Sequence, residues 1–324
     1  MRFAKGHGTE NDFVILPDPD GILDLSPRLV ARLCDRRAGL GGDGVLRVVR
    51  TAAMAPHPAD PQASPRHPVS HPASYPASNP ASNPSAAALA APAEGPAWAA
   101  SPVADSPADA VWFMDYRNAD GGVAEMCGNG IRVFARYLLE TGLAAGDEFT
   151  IATRGGPRLV RVRQDGGISA DLGAARVLGP GRAALGGRVC DGLRISVGNP
   201  HLACIVDTPL DEFDLSSPPE LDHDQFPEGA NIEIVQVTSG AAVRMRVRER
   251  GSGETRSCGT GAVAAAVAAA AAAGGGDGAW RVDVPGGELT VTLDGTASWL
   301  TGPAVIVADG ELHGAWLSVP ELAR

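Results

Sequence analysis

Residues 258–273 read CGTGAVAAAVAAAAAA, an alanine run that directly follows one cysteine and two glycines. Alanine has the highest intrinsic helix propensity, so the run predicts a helix. Because its side chains are all small, such a helix can be buried closely among other elements. It is too short and too weakly apolar to span a bilayer. The chain must therefore bury a helix that carries a cysteine at its N-terminal end.

The remaining elements are predicted from short apolar runs separated by turn signals, several of them alternating with period two as half-buried strands do. Nine runs predict strands: 13–16, 45–49, 111–116, 158–164, 202–206, 232–237, 243–249, 280–284 and 288–293. Two further segments predict helices, 26–37 with Ser26 as N-cap and Pro27 in the first turn, and 131–140. This balance indicates a mixed α/β (α+β) fold with largely antiparallel sheets.

The chain repeats itself. The segment DYRNADGGVAEMCGNGIRVFARYL (115–138) is similar to VRERGSGETRSCGTGAVAAAVAA (247–269), and HGTENDFVIL (7–16) is similar to VGNPHLACIV (197–206). Each half therefore contains a strand, a glycine-rich turn, Cys-Gly-x-Gly and a helix. We predict two similar domains of about 140 residues, near the usual size of a domain.

Residues 52–109 differ from the rest of the chain, since they hold 13 of its 26 prolines together with a short Pro-Ala-Ser repeat. Proline at this density blocks helices and sheet ladders. We predict a disordered insertion or surface loop.

Composition narrows the class of protein. The net charge of −11 argues against a nucleic-acid surface and favours small polar substrates. The N-terminal segment lacks the apolar core of a signal peptide, so we expect a cytoplasmic protein without a membrane segment. Five scattered cysteines without a CxxC pair predict free thiols and no metal site. Lys5 is the only lysine, so the usual Schiff-base route of pyridoxal phosphate has little support and we expect no cofactor.

The two Cys-Gly-x-Gly sites, at Cys127 and Cys258, indicate a specific chemistry. Glycines before a helix leave free N–H groups that, with the helix dipole, bind an anion and lower the pKa of a thiol. A single cysteine is more often a small buried hydrophobe, which suits Cys34, Cys190 and Cys204. If the two halves face each other, one thiolate removes a proton from a substrate carbon while the other thiol returns one to the opposite face.

With these residues in view, the chain resembles the diaminopimelate epimerase family, cofactor-independent isomerases of lysine and cell-wall precursor synthesis. The resemblance rests on KGHGTENDFV, GLGGDGV, RNADGG with EMCGNG, VGNPH, FPEGANIE, ERGSGETRSCGTGA and VDVPGGEL, in that order. It implies two pseudo-symmetric domains, each a curved, mostly antiparallel sheet around a central helix. We expect residues 1–171 with 303–324 in one and 172–302 in the other, and a possible homodimer.

The resemblance also implies roles for single residues. It implies that Cys127 and Cys258 are the catalytic thiols and that His201 and Glu249 tune their pKa values. It further implies that hydrogen bonds to the substrate come from Asn11, Asn118, Asn199 and Asn231. Arg250 would bind the distal carboxylate, and Glu249 beside it would also contact the substrate. The α-carboxylate would be bound by the backbone of Gly128, Asn129, Gly259 and Thr260.

Two alternatives remain open at this point. A proline or hydroxyproline racemase would share the architecture, although Asn129 stands where those proteins tend to have histidine and Arg250 has no use with proline. A non-catalytic carboxylate- or phosphate-binding protein would use the same glycine-rich helix ends. Many relatives also carry glutamine where this chain has Gly44, so one side-chain contact to the substrate is missing or replaced.

Overall fold

The structure is a computed structural model that describes residues 1–54 and 110–318. Most of the predicted disordered insertion, from residue 55 to residue 109, lies outside the described residues. At its predicted start the expectation of disorder is wrong, because Thr51–Ala53 form a short 3₁₀ helix. The two ends of the insertion lie side by side, since the Thr51 N–H donates to Val111 O at 2.9 Å and the Thr51 hydroxyl donates to Ala110 O at 2.5 Å. The described chain therefore leaves and re-enters the fold at one place.

The described residues contain eighteen strands, four α-helices and two short 3₁₀ helices, Thr51–Ala53 and Leu210–Glu212. The strands pair into one continuous hydrogen-bonded series. The first half contains β1 (Arg2–Gly8), β2 (Asn11–Pro17), β3 (Gly44–Arg50), β4 (Trp112–Asn118), β5 (Glu148–Ala152), β6 (Arg158–Val162) and β7 (Ile168–Asp171). The second half contains β8 (Arg176–Leu185), β9 (Arg188–Ser196), β10 (Pro200–Ile205), β11 (Glu220–Leu221), β12 (Asn231–Val237), β13 (Ala242–Glu249), β14 (Gly253–Thr255), β15 (Gly278–Val284), β16 (Gly287–Leu293) and β17 (Ser298–Gly302). The last strand is β18 (Val305–Glu311), and the helices are α1 (Pro27–Cys34), α2 (Gly128–Glu140), α3 (Gly259–Ala272) and α4 (Gly314–Leu317).

The two halves follow the same pairing pattern. In the order β18-β1-β2-β3-β4-β5-β6-β7, only the β2–β3 and β4–β5 pairs are parallel. In the order β8-β9-β10-β12-β13-β15-β16-β17, only β10–β12 and β13–β15 are parallel, at the same two places in the series. The internal repeat of the sequence is therefore a repeat of topology, and β7 pairs with β17 where the halves meet. The sheet-rich α/β fold with mostly antiparallel pairing is confirmed; the exact domain boundaries stay a prediction.

Each half has one long helix against its strands. Helix α2 contacts β1, β2, β7 and β18, and α3 contacts β10, β12, β13, β15 and β16. Every residue of α3 from Gly259 to Ala270 is buried, as the small side chains of the alanine run predict. Helix α2 begins three residues earlier than the sequence predicts, at Gly128, because its glycines form its first turn rather than a loop.

The first helix is shorter than predicted. Ser26 is its N-cap and accepts a hydrogen bond from Leu29 N at 3.3 Å, with Pro27 in the first turn. The helix ends at Cys34 instead of position 37, because the Asp35 side chain accepts hydrogen bonds from the N–H groups of Arg37 and Ala38, both at 2.7 Å. Such a local turn competes with continued helix.

No helix among the described residues is both long enough and apolar enough to cross a membrane.

Candidate active site

The N-terminal ends of α2 and α3 meet at two glycines. A Cβ placed on Gly259 would lie 2.9 Å from the backbone carbon of Gly128 and 2.9 Å from Asn129 N, distances that real Cβ atoms essentially never show. A Cβ on Gly128 would lie 3.1 Å from the Gly259 Cα. The two helices can approach this closely only because both first residues lack side chains. The arrangement brings both sets of N–H groups to one place, the geometry considered above for two halves that face each other.

Cys127 and Cys258 are the N-caps of these two helices. Cys127 Sγ accepts a hydrogen bond from Gly130 N at 3.4 Å, and Cys258 Sγ accepts one from Gly261 N at 3.4 Å. Both caps have extended backbone, with φ of −136° and −125°. The two thiols thus occupy equivalent positions at the junction of the halves, with Cys258 buried and Cys127 partly exposed.

The pKa values differ in direction from the sequence prediction, which considered the helix ends alone. Burial raises the pKa of Cys127 to about 11, although the backbone N–H of Gly130 lowers it. Burial also raises the pKa of Cys258 well above its usual value, and the nearby carboxylates of Glu249 and Glu233 raise it further. The expectation that the helix ends favour thiolates is therefore wrong for this structure, because desolvation exceeds the contribution of the helix N-termini.

Asn11 lies beside Cys127 at the start of β2. Its Oδ1 faces Cys127 Sγ at 3.9 Å, so the thiol donates to it, and its Nδ2 donates to Asp43 Oδ2 at 2.7 Å. Asp43 belongs to the GLGGDGV segment and was not predicted as a site residue. Burial raises the pKa of the Asp43 carboxyl, while the hydrogen bond from Asn11 lowers it.

The tight turn between β1 and β2 contacts the second half directly. Thr9 and Glu10 have positive φ values of 51° and 61°, which non-glycine residues seldom adopt. The buried Thr9 hydroxyl lies 2.6 Å from Ser257 Oγ, and Glu10 forms an ion pair with Arg256. Strained backbone of this kind concentrates at functional sites.

Asn129 connects the halves through its side chain, whereas the sequence analysis used only its backbone. Its Nδ2 lies 3.1 Å from both the Oγ and the carbonyl oxygen of Ser257 and 3.2 Å from Asn11 Oδ1. Thr9, Ser257 and the Asn129 side chain were not predicted. Their only sequence signals are their positions, since Ser257 directly precedes Cys258, Asn129 lies within the Cys127 motif, and Thr9 lies within KGHGTENDFV.

A second group of predicted residues lies beside Cys258. His201 on β10 is fully buried, with Nε2 at 2.9 Å from Asn199 Oδ1 and Nδ1 at 2.7 Å from Glu233 Oε1. Asn199 Nδ2 donates to Thr260 Oγ1 at 3.3 Å, and Thr260 Oγ1 lies 3.6 Å from Cys258 Sγ. Glu233 was missed, although its carboxylate interrupts the apolar strand NIEIV at a position that is fully buried.

Glu249 also lies beside Cys258. Its Oε1 accepts a hydrogen bond from the Thr255 hydroxyl at 2.5 Å. Burial raises the pKa of Glu249, whereas the Thr255 hydroxyl and the Cys258 side chain lower it. Glu249 therefore lies near Cys258, whereas His201 is linked to Cys258 through Asn199 and Thr260.

The predicted distal binding residues form a separate cluster at the end of β13. Asn231 Oδ1 accepts a hydrogen bond from Arg250 N at 2.8 Å, and the Arg250 guanidinium reaches the carbonyl oxygen of Glu228 at 3.2 Å and its side chain at 3.3 Å. The Arg250 side chain is 41% exposed. A guanidinium held at one end and open to solvent can receive a carboxylate bidentately.

Asn118 ends β4 next to Gly44 of β3. Its backbone closes a turn, since its N–H donates to Gly122 O and its carbonyl accepts from Gly121 N, both at 2.9 Å. Gly44 has no room for a side chain, because a Cβ there would lie 2.5 Å from Arg117 O and 2.7 Å from a ring carbon of Tyr116. The Tyr116 ring and the Arg117 carbonyl thus occupy the space that a side chain at position 44 would need.

Within residues 1–54 and 110–318, no cluster of three or more His, Cys, Asp or Glu side chains has the arrangement of a metal site.

Comparison with known proteins identifies the family. The family model described as diaminopimelate epimerase matches residues 102–178 and 193–307. A diaminopimelate epimerase from Thermobifida fusca is 53% identical over 97% of this chain and 98% of its own length, and one from Acidothermus cellulolyticus is 49% identical over 98% and 97%.

Solved structures extend the likeness of fold beyond this family. A probable proline racemase from Agrobacterium radiobacter, with bound carbonate, has a TM-score of 0.59 and 14% identity and covers 97% of this chain and 93% of that one. A phenazine biosynthesis protein of the PhzF family from Bacillus anthracis has a TM-score of 0.57 and 15% identity and covers 97% and 99%. At such identities these structures show the fold alone, whereas the relatives above show that the chain belongs to the diaminopimelate epimerase family and is an isomerase.

Proposed function

We propose that the protein interconverts LL- and meso-2,6-diaminopimelate by proton transfer at one α-carbon, with Cys127 and Cys258 as the two acid–base groups. The observation that carries the proposal is the meeting of two helix N-termini, each capped by a cysteine, at Gly128 and Gly259. The predicted pathway, lysine and peptidoglycan precursor synthesis in the cytoplasm, and a possible homodimer belong to the same proposal.

The helix ends provide a binding site for the α-carboxylate of the substrate. Backbone N–H groups of the first turns, at Gly128, Asn129, Gly259 and Thr260, have no partner within the helix and carry the positive end of the dipole. A carboxylate between them would place the adjoining carbon near both sulfurs. Negative charge that develops on the carboxylate during proton removal is stabilised by the same donors.

The raised thiol pKa values have two opposite effects on this reaction. An α-carbon proton is very weakly acidic, so a thiolate of higher pKa is the stronger base, but a smaller fraction of each thiol is then ionised near neutral pH. Burial raises the pKa of Cys127 to about 11 and that of Cys258 well above its usual value. Because both thiols cap the N-termini of equivalent helices, they can exchange the roles of base and acid for the reverse reaction.

Arg250 and Asn231 account for selectivity for a second, distal carboxylate. Their cluster lies on β12 and the end of β13, next to Glu249, which contacts Cys258. A guanidinium placed there distinguishes a dicarboxylic substrate from proline, which has no distal carboxylate.

The test measures entry of solvent deuterium at Cα of LL-diaminopimelate, without added cofactor. We expect Cys127→Ala and Cys258→Ala each to lower turnover by about 10²- to 10⁴-fold, the usual contribution of one acid–base group. Cys190→Ala is the matched control, because Cys190 is a buried cysteine on β9 outside the site. Unchanged turnover in either active-site variant would contradict the mechanism, and faster turnover of proline than of diaminopimelate would contradict the substrate.

A further inference from the structure

Glu233 and His201 form a buried pair whose hydrogen positions follow from their neighbours. Asn199 donates from Nδ2 to Thr260 Oγ1 at 3.3 Å, which leaves its Oδ1 at 2.9 Å from His201 Nε2. An amide oxygen only accepts, so Nε2 must carry a hydrogen. His201 Nδ1 lies 2.7 Å from Glu233 Oε1, and one hydrogen must lie between these two atoms.

The pair therefore holds two hydrogens and has no net charge, whichever of the two atoms binds the shared one. This is the form that burial favours, since both side chains are 0% exposed. Glu233 Oε2 has no hydrogen-bond partner among the described residues, so the side-chain hydrogen bond of this carboxyl group is the one to His201. The Glu233 side chain also touches the first turn of α3, where a Cβ on Gly261 would lie 2.7 Å from Oε1.

The chain of hydrogen bonds continues to the sulfur. Because Thr260 Oγ1 accepts from Asn199, its own hydrogen is free to point at Cys258 Sγ, 3.6 Å away. Each hydrogen from His201 onward then points toward Cys258. At Cys127 the side-chain contact has the opposite character, since Asn11 Oδ1 is an acceptor.

We propose that Glu233 and His201 are positioning residues that fix the direction of this chain of hydrogen bonds. The Thr260 hydroxyl then donates to the Cys258 thiolate when Cys258 acts as the base. This role rests on the proposed function, because it concerns the thiolate of one of the two proposed acid–base groups. Without Glu233, either ring nitrogen of His201 could carry the hydrogen, and the Asn199 amide would lose its fixed orientation.

Other groups also face Cys258, so the test must separate their charges from the hydrogen-bond chain. They are Glu249 from β13, Glu233 from β12 and Tyr116 from β4. His201 from β10 also interacts electrostatically with Glu249. An isosteric change that removes the hydroxyl but leaves these charges in place isolates Thr260.

The experiment measures alkylation rates of Cys258 and Cys127 by peptide mass spectrometry, with iodoacetamide, over a pH series. A hydrogen bond to a charged group changes a pKa by about one to two units. We expect Thr260→Val to slow alkylation of Cys258 about 3- to 10-fold at a given pH, after allowing for the higher nucleophilicity of a less acidic thiol. Thr260→Ser should restore the rate, and Cys127 should be unaffected. Thr290→Val is the control, because Thr290 is a half-buried threonine on β16 outside the hydrogen-bond chain.

Two variants test Glu233 itself. Glu233→Gln keeps a donor toward Nδ1 and the neutral charge, so Cys258 should react at the wild-type rate. Glu233→Leu should slow Cys258 in the wild-type background and have no further effect with Thr260→Val, because the two act in one chain. Faster alkylation in Glu233→Gln would show that the carboxylate acts directly by its charge and would overturn the proposal, as would an unchanged rate in Thr260→Val.

A measurement on the unmodified enzyme covers the case in which Glu233→Leu does not fold. In protein labelled with ¹⁵N-histidine, His201 should carry a hydrogen on Nε2, because Nε2 faces the Asn199 amide oxygen; an Nε2 without hydrogen would refute the hydrogen-bond chain. These readouts do not depend on turnover. A protein without epimerase activity but with the expected alkylation pattern would contradict the proposed function alone.

Discussion

The contact between the two helix ends makes Gly259→Ala the most informative single substitution. The new Cβ would lie 2.8 Å from Leu300 Cδ2 and 2.9 Å from the backbone of Gly128 and Asn129. Since two of these neighbours are backbone atoms, the helix ends must separate by about 0.5 Å to reach ordinary contact, a form of overpacking.

Overpacking costs about 1–3 kcal/mol. The reduced entropy of the unfolded chain offsets about 0.4–1 kcal/mol of this. The net loss of stability, about 1.3 kcal/mol at the middle of these ranges, lowers Tm by about 3–5 °C, since a large domain loses about 2–4 °C per kcal/mol. Displacement of a catalytic group by about 1 Å costs about 10²-fold in rate, so a shift of about half that size should lower kcat about tenfold.

Gly314→Ala is the matched control, because Gly314 is also the first residue of a helix and, within the part of the chain that the structure describes, no atom beyond its chain neighbours and its own helix lies within 4 Å of its would-be Cβ. Thermal unfolding and deuterium entry at Cα would be measured for both variants. If Gly259→Ala keeps wild-type kcat and Tm, as the control should, the close approach of the helix ends has no role and the reasoning fails.

Three further predictions follow from individual sites. Burial raises the pKa of Cys127 from its usual 9.0 to about 11. The contribution of this thiol to stability is therefore full below pH 9 and declines as pH rises toward 11. Urea unfolding at several pH values should show that the free energy of unfolding falls less at alkaline pH in Cys127→Ser than in the wild type. Arg250→Lys loses bidentate recognition and should raise KM for diaminopimelate about tenfold or more with a smaller change in kcat, whereas Arg244→Lys on exposed β13 surface should change neither in steady-state assays. Gly44→Ala places a Cβ 2.5 Å from Arg117 O, so calorimetry should show a lower Tm, and an unchanged Tm would mean that β3 and β4 separate readily.

The sequence predicted much of the site because the repeat is local and specific. Each Cys-Gly-x-Gly segment contains the cap, the turn and the helix start in consecutive residues, so the positions of Cys127 and Cys258 at helix N-termini could be predicted without tertiary information. The alanine run likewise determined that α3 is a helix and allowed it to be buried.

The contacts across the halves were not predictable in the same way. Thr9 and Ser257 are 248 positions apart, yet their hydroxyl oxygens lie 2.6 Å apart. Glu233 and His201 meet because β10 and β12 pair in parallel, with Asn231 opposite His201. No spacing in the sequence specifies such a register, which depends on the pairing of the whole sheet.

The thiol pKa values likewise depend on one effect that the local sequence determines and on another that only the tertiary structure determines. The sequence alone determined that both cysteines stand at helix N-termini, where backbone N–H groups lower a thiol pKa. Only the tertiary structure decided how far each sulfur is removed from water and which carboxylates lie beside it, and these effects raise both pKa values. Local hydrogen bonds are encoded within a few residues, whereas desolvation depends on every element that packs around the group.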